Sequence, residues 1–254
     1  MKFITVTSAI AAAAAICAAA AAPQASARSV SPAIAASVAD PGRTSKDTAL
    51  DAARKPAEIM SFINLRPGET IVDVFPGPYW DRLFSKVVGP KGHVYMFLPL
   101  EAAKAEKIPV LAQGAAPFPD LANVTVNAAP INDFSAPKPA DIVWIRQNYH
   151  DLYDPFMGPA DVPGFNKAVF RTLKPGGYLV VIDHSAPAGS GLADTNTTHR
   201  IDAAAVKKDM AAAGFTFVGQ SDVLRNPADT RLDKVFAPSI RGKTDQFVYL
   251  FKKP

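Results

Sequence analysis

Three of the four histidines in this 254-residue chain, His150, His184 and His199, lie within fifty residues of one another. Imidazole exchanges protons near neutral pH, and a neighbouring carboxylate fixes its tautomer and raises its basicity. Asp151 follows His150 directly, and Asp183 directly precedes His184. The pattern therefore predicts acid-base chemistry, with the three histidines as candidate catalytic residues.

Other polar residues accompany these histidines and are candidate substrate-binding residues. They are Asn148 and Tyr149 before His150, Asp183 before His184, Arg200 after His199, and Arg225 in the segment LRNPAD. The LRNPAD segment is expected to be a loop that covers the site. A loop anchored by salt bridges is an equally good interpretation of its charges.

Two rival chemistries have weaker support in the sequence. Three histidines near aspartates suit a hydrolytic metal centre, but no H-E-x-x-H or similarly close spacing occurs, so no metal is expected. A nucleophilic hydrolase is disfavoured because the chain has no G-x-S-x-G segment, and its one cysteine, Cys17, lies in the predicted signal peptide.

The elements that must position these residues alternate between β and α along the chain. Short apolar runs predict strands at 71–74, 93–98, 124–126, 141–145, 178–182, 216–218 and 246–251. Helical patterns cover 46–65, 80–88, 101–111, 162–173 and 202–213, and Pro56 should bend or divide the first helix. His150 and His184 thus follow predicted strands, where ligands bind in open α/β sheets. The last two strands have no helix between them, which indicates an antiparallel pair.

The N-terminus sets the expected compartment. Lys2, an apolar Ala-rich run and the small-residue triplet 25–27 predict a secretory signal peptide over residues 1–27. Residues 28–45 are expected to form a flexible leader, and 46–254 the folded domain. The prediction is a periplasmic or secreted protein without a stable membrane anchor after cleavage. No Lys/Arg cluster favours nucleic acid as a partner, so a small-molecule substrate is expected. The oligomeric state is left open.

Several segments carry a resemblance to a known family. They include VDVFPGPYW, GPKGHVY, QNYHDLY, LKPGGYLVVIDHSA, HRID and RGKTDQFVYLFKKP. With these, residues 46–254 resemble the class I S-adenosylmethionine-dependent methyltransferases, and more narrowly an exported bacterial group of predicted methyltransferases. The resemblance implies a Rossmann-like, doubly wound sheet of about seven strands, with the last strand antiparallel.

The resemblance also implies a cofactor and a reaction. It implies S-adenosylmethionine, bound by Asp73, Pro76 and Gly77 after the first strand and by Asn132 and Asp133 after the third. The implied reaction is methyl transfer to a small-molecule oxygen or nitrogen nucleophile, with His150 or His184 removing the proton.

The sequence departs from the family pattern at two places. Phe75 and Tyr79 occupy positions where the family carries glycine, and no acidic residue ends the second strand near residues 97–99. Two alternatives therefore stay open beside the methyltransferase. One is a non-catalytic ligand-binding protein with a degenerate cofactor loop, and the other is a histidine-based hydrolase with or without a metal.

Overall fold

The computed structural model describes residues 29–254, so the predicted signal peptide lies outside the described residues. Seven strands form one sheet in the order β3-β2-β1-β4-β5-β7-β6. The strands are β1 (Thr70–Val74), β2 (His93–Pro99), β3 (Val124–Ala129), β4 (Ala140–Arg146), β5 (Leu173–His184), β6 (Thr216–Ser221) and β7 (Gln246–Lys252). The α/β architecture with about seven strands is confirmed.

The strand directions follow the predicted pattern. Strands β1 to β5 run parallel to one another, whereas β7 is antiparallel to both β5 and β6. Parallel neighbours end at the same edge of the sheet. The residues that follow β1, β4 and β5 are therefore brought together although they lie far apart in sequence.

Helices cover both faces of the sheet. They are α1 (Pro32–Val38), α2 (Ser45–Thr48), α3 (Asp51–Arg54), α4 (Pro56–Phe62), α5 (Pro78–Val88), α6 (Leu100–Ala105), α7 (Val162–Thr172), α8 (Thr195–Thr198) and α9 (Ala203–Ala212). Alternate residues of β4 enter two separate cores, because side chains alternate across a strand. Ile142 and Trp144 pack with α4 and α5, whereas Val143 and Ile145 pack with α7 and α9.

The N-terminal segment differs from the expected flexible leader. Residues 32–38 form helix α1, which begins with Ser31 as N-cap and Pro32 in its first turn. Ile34 is buried against the α5 face of the sheet, and the Ser37 hydroxyl donates a hydrogen bond to the Leu83 carbonyl at 2.9 Å. The prediction failed because two buried side chains in a seven-residue helix give too short a pattern for hydrophobic periodicity to detect.

Two helix boundaries also differ from their predictions. The helix expected over 101–111 ends at Ala105, because Lys107 adopts a left-handed φ of 54° and Pro109 cannot continue a helix. The helix expected over 46–65 is three short helices. Lys55 adopts φ 50° between α3 and α4, and Pro56 begins α4, so Pro56 divides the segment as predicted. Among residues 29–254, no helix is both long and apolar enough to cross a membrane.

Candidate functional site

Two neighbouring cavities lie at the carboxyl ends of β1, β4 and β5. The Asp73 cavity, of about 500 Å³, is lined among others by Asp73, Gly77, Trp80 and Arg146. The His199 cavity, of about 390 Å³, is lined among others by Asp151, His184, His199 and Phe236. Phe75, Gln147 and Asn148 line both cavities. The two cavities therefore share one wall, made by the loops after β1 and β4.

The Asp73 cavity contains buried charges of both signs. Asp73 on β1 faces Asp81 on α5, and both carboxyls are buried. Burial and the charge of Asp81 raise the pKa of Asp73, and burial raises the pKa of Asp81 to about 7. In the described chain neither Asp81 oxygen has a donor group as partner. The raised pKa values of both carboxyls favour one proton on the pair near neutral pH.

Arg146 ends β4 on the same side of the sheet as Asp73. Its guanidinium lies over the Trp80 ring, 5.8 Å from the ring centroid. Burial lowers the pKa of Arg146 to about 9, which leaves the side chain positively charged at neutral pH. Its Nε is buried and has no hydrogen-bond partner within residues 29–254. Arg146 therefore presents an unmatched buried donor beside a cavity.

The loop after β1 leaves open space beside Gly77 but not beside Phe75. Phe75 adopts φ 60°, the left-handed region that favours glycine, and its side chain lies between the two cavities. Gly77 is the N-cap of α5, and a Cβ added there would meet no atom of the described chain within 4 Å. Tyr79 lines the Asp73 cavity, and its hydroxyl donates to Asp51 at 2.6 Å.

His184 faces the His199 cavity as a neutral ring. Burial lowers the pKa of His184 to about 3, so the imidazole is uncharged at physiological pH. Its Nδ1 lies 2.7 Å from the Thr244 hydroxyl oxygen. When Nδ1 donates to that hydroxyl, Nε2 is left as a proton acceptor. The contact with Thr244 thus leaves His184 Nε2 with a free lone pair, on a ring whose low pKa makes it a weak base.

His150 is fully buried and is fixed by Asp183. Its Nδ1 lies 2.8 Å from Asp183 Oδ1, and its backbone N–H donates to Asp183 Oδ2 at 3.0 Å. Burial disfavours the imidazolium, but the charges of Asp183 and Asp151 outweigh this and raise the pKa of His150 to about 10. The same ion pair keeps the pKa of Asp183 low despite burial. The predicted substrate-binding residue Asp183 is therefore a buried partner of His150.

A compact group of acidic residues and imidazoles surrounds the second ring nitrogen of His150. His150 Nε2 lies 3.3 Å from Asp151 Oδ1, and His199 Nδ1 lies 3.7 Å from the same oxygen. The His150 and His199 rings meet edge to face with centroids 3.9 Å apart. Burial and the charge of His150 lower the pKa of His199. His199 itself holds a left-handed φ of 63° at the end of α8.

Comparison with solved structures shows which known fold this architecture resembles. A methyltransferase from Aquifex aeolicus described as SAM dependent matches with a TM-score of 0.53 and 21% identity, covering 83% of this chain and 98% of that chain. The protein has a class I methyltransferase fold. An S-adenosylmethionine-dependent methyltransferase from Mesorhizobium loti aligns with a TM-score of 0.49 and 17% identity, covering 80% of this chain and 99% of that chain. No family model and no curated protein matches the sequence.

Two predicted substrate-binding residues are structural in this fold. Tyr149 points into the core, where its hydroxyl donates to Asp209 at 3.0 Å and accepts from Asn166 at 2.8 Å. Arg200 is fully buried and is paired with Asp229 at 2.9 Å, and it also donates to the carbonyls of Ser185 and Asp233. Neither side chain lines either cavity, because adjacency to a histidine in sequence does not fix the direction of a side chain.

The remaining predicted residues divide between the site and its surroundings. Asn148 lines both cavities and donates to Asp151 Oδ2 at 2.7 Å. Arg225 pairs with Asp245 at 2.9 Å. This contact agrees with the second interpretation of the LRNPAD segment, a loop anchored by salt bridges. Three residues predicted to bind the cofactor lie outside both cavities. They are Pro76, in the turn after β1, and Asn132 and Asp133, in the 3₁₀ helix after β3. Asn132 instead accepts from the Asp161 N–H and donates to the Pro159 carbonyl.

Sequence reasoning missed three residues that belong to the site. Arg146 directly follows the strand predicted over 141–145 and received no role, although an arginine that ends an apolar run is an unusual feature. Gln147 adopts φ 61° directly after β4, and only the structure reveals this conformation. Asp154 lines neither cavity but offers a ligand atom within 4.8 Å of those of His150, Asp151 and His199, and its spacing from Asp151 in HDLYD was the available signal. Residues at i and i+3 fall on one face of the 3₁₀ helix His150–Tyr153 and its cap.

Proposed function

We propose that the protein is an S-adenosylmethionine-dependent methyltransferase that acts on a small molecule. The proposal rests mainly on the Asp73 cavity, where a buried carboxyl and a half-buried arginine, whose Nε is buried and has no partner in the described chain, lie at the carboxyl ends of β1 and β4. S-adenosylmethionine ends in an α-amino acid, which carries an ammonium and a carboxylate. Asp73 would hold the ammonium and Arg146 the carboxylate. When bound, the cofactor supplies a methyl group activated by a sulfonium.

Two further residues fit this cofactor. Gly77 lines the Asp73 cavity and leaves its wall open, which permits close approach of a ligand to the backbone. Glu101, in the first turn of α6 directly after β2, holds its carboxylate oxygens 3.2 and 3.1 Å from the Ile131 N–H. A carboxylate that accepts one hydrogen bond from an N–H keeps further lone pairs, and these can accept hydrogen bonds from the hydroxyls of a ribose. Glu101 lines neither cavity, so it would replace the acid that β2 lacks only for a ribose that extends beyond the Asp73 cavity.

We propose the His199 cavity as the acceptor site. Its volume of about 390 Å³ lies in the range of small-molecule sites. His184 lines this cavity as a neutral imidazole, whereas His150 is buried behind it. Of the two bases predicted from the sequence, His184 is the one we propose to accept the proton, at Nε2. Thr244 would keep the required tautomer by accepting from Nδ1.

One observation favours a second candidate function, a ligand-binding protein without methyl transfer. Phe75 stands where glycine is expected and separates the two cavities. A ring in this position could keep a methyl donor away from an acceptor. In such a protein the Asp73 cavity would bind an amino-acid-like ligand and no transfer would follow.

A calorimetric titration tests the cofactor proposal. The purified protein should bind both S-adenosylmethionine and its demethylated product saturably, with one site per chain. Arg146→Ala should weaken binding by tenfold or more, because the ligand carboxylate would lose its charged partner. Arg171→Ala, which removes an exposed arginine from α7, serves as the matched control and should bind like the wild type. Absence of heat at millimolar ligand would exclude the methyltransferase.

We also propose that the chain is exported. The predicted signal peptide over residues 1–27 supports this proposal. Cell fractionation followed by N-terminal sequencing should find the mature protein in the periplasm, beginning at Arg28. A cytoplasmic protein that still begins at Met1 would contradict export without affecting the cofactor proposal.

A further inference from the structure

We propose that His150, Asp151, Asp154 and His199 together bind one divalent first-row metal ion. Each of these residues offers one ligand atom, and the four atoms all lie within 4.8 Å of one another. The sequence did not predict this site, because its spacing matches no familiar metal motif. The inference does not depend on methyl transfer, since it concerns the metal ion alone.

The distances between ligand atoms suit a single ion. Zinc binds imidazole nitrogen and carboxylate oxygen at about 2.1 Å, so tetrahedral ligands lie roughly 3.4 Å from one another. His150 Nε2 is 3.3 Å from Asp151 Oδ1, and His199 Nδ1 is 3.7 Å from that oxygen. Two of the contacts between ligand atoms therefore already have the length that a shared ion requires.

The buried ligand atoms also lack other partners. His150 Nε2, Asp151 Oδ1 and Asp154 Oδ1 are all buried, and none makes a hydrogen bond in the described part of the chain. The contact between His150 Nε2 and Asp151 Oδ1 is close but does not have hydrogen-bond geometry. Native proteins seldom leave buried polar atoms unsatisfied. Three such atoms on three residues of one cluster indicate a missing partner, which a cation would supply.

Neighbouring residues orient the ligands as they do in known metal sites. Histidine ligands usually donate their second ring nitrogen to a carboxylate, which fixes the ring and directs the lone pair of the other nitrogen at the metal. Asp183 makes this contact with His150 Nδ1 at 2.8 Å. Asn148 donates to Asp151 Oδ2 at 2.7 Å, which leaves Oδ1 directed at the cluster.

The ligand set favours a particular class of ion. Two imidazoles with two carboxylates suit Zn²⁺, Mn²⁺, Fe²⁺ or Co²⁺ better than Ca²⁺ or Mg²⁺, which prefer oxygen ligands alone. Asp151, Asp154 and Asp183 also place three carboxyls in a buried region, where a divalent cation would compensate their charge. Asp151 and His199 line the His199 cavity, so an ion could enter from there.

Zinc titration of untagged protein, after dialysis against a chelator, tests the site. Calorimetry should show one Zn²⁺ per chain with micromolar or tighter affinity, and added zinc should raise the melting temperature. His199→Ala and Asp154→Asn should each weaken zinc binding at least tenfold. His93→Ala is the matched control, since His93 lies at the opposite end of the sheet, and it should leave the affinity unchanged.

The results of these titrations distinguish a specific metal site from no site. Failure of the folded wild type to bind zinc saturably would overturn the site, and so would wild-type affinity in His199→Ala. The His199 side chain is 27% exposed, so this variant should fold even if Asp154→Asn does not. Equal weakening in His93→Ala would show adventitious binding and would also refute the proposal. A protein that binds zinc but not S-adenosylmethionine would keep this site and lose the proposed function.

Discussion

At the scale of single residues, two histidines that look equivalent in the sequence have pKa values shifted in opposite directions. His150 is surrounded by Asp151 and Asp183, and its pKa rises to about 10. His184 has the hydroxyl of Thr244 as partner, and burial lowers its pKa to about 3. Each histidine follows a strand next to an aspartate, but the contact at Nδ1 differs. The difference in role between the two rings therefore comes from tertiary contacts.

The shared proton of Asp73 and Asp81 predicts a pH-dependent stability. The pKa of Asp81 is near its ordinary value when the chain is unfolded and about 7 in the folded protein, so the folded state binds more protons between these values. Its contribution to stability is present at low pH and is lost as the pH rises through about 7. Urea unfolding should show a wild-type free energy of unfolding lower at pH 8 than at pH 5, by on the order of 1 kcal/mol or more.

Asp81→Asn should remove most of this pH dependence. The asparagine amide stays neutral and can donate to Asp73, so no proton has to be held in the folded state. The variant should therefore unfold at similar urea concentrations at pH 5 and pH 8. A pH dependence equal to that of the wild type would show that the pair does not share a proton.

The site residues were only partly predictable from sequence. His184, His199, Asn148, Asp73 and Gly77 line the cavities, because the ends of parallel strands meet at one edge of the sheet. The direction of a side chain within a loop was not accessible in this way. The left-handed φ values at Phe75, Gln147 and His199 set those directions, and no residue type in the sequence announces them.

At the scale of the elements, helix α1 extends the ordered domain toward the N-terminus. Ile34 is 2% exposed and packs in the same core as α4 and α5. Removal of a buried isoleucine side chain down to alanine usually costs about 2–4 kcal/mol. Ile34→Ala should therefore lower the free energy of urea unfolding by about this amount.

Val30→Ala provides the matched control for that measurement. Val30 precedes α1 and is 44% exposed, so its truncation should change stability by less than about 0.5 kcal/mol. Equal stabilities of wild type, Ile34→Ala and Val30→Ala would mean that α1 does not dock and that residues 28–45 are a leader after all.

The longer elements were predictable because their patterns are strong. All seven strands and the α5, α7 and α9 helices occur close to where hydrophobic periodicity predicts them. The antiparallel pairing of β6 and β7 was predictable because no helical pattern lies between these two strands in the sequence. The short helices α1, α2, α3 and α8 span four to seven residues, a length at which tertiary contacts override local pattern.

At the scale of the whole molecule, the sheet places two cavities side by side across a shared wall. The Asp73 cavity contains opposite charges, and the His199 cavity contains a neutral imidazole and the cluster that we propose binds metal. A methyltransferase needs its donor and acceptor sites to meet at one boundary, so that the nucleophile can reach the methyl group. Phe75, Gln147 and Asn148 form that boundary here.

The central claim is that the Asp73 cavity binds S-adenosylmethionine, and Gly77→Val tests it most directly. Gly77 has an extended φ of −147°, and a Cβ there meets no atom within 4 Å among residues 29–254, so the variant should fold with a loss of about 1 kcal/mol or less. The branched side chain would instead enter the space proposed for the cofactor. Calorimetry should find saturable binding to the wild type and at least tenfold weaker binding to Gly77→Val. Equal affinity in the two proteins, or no binding to either, would contradict the account.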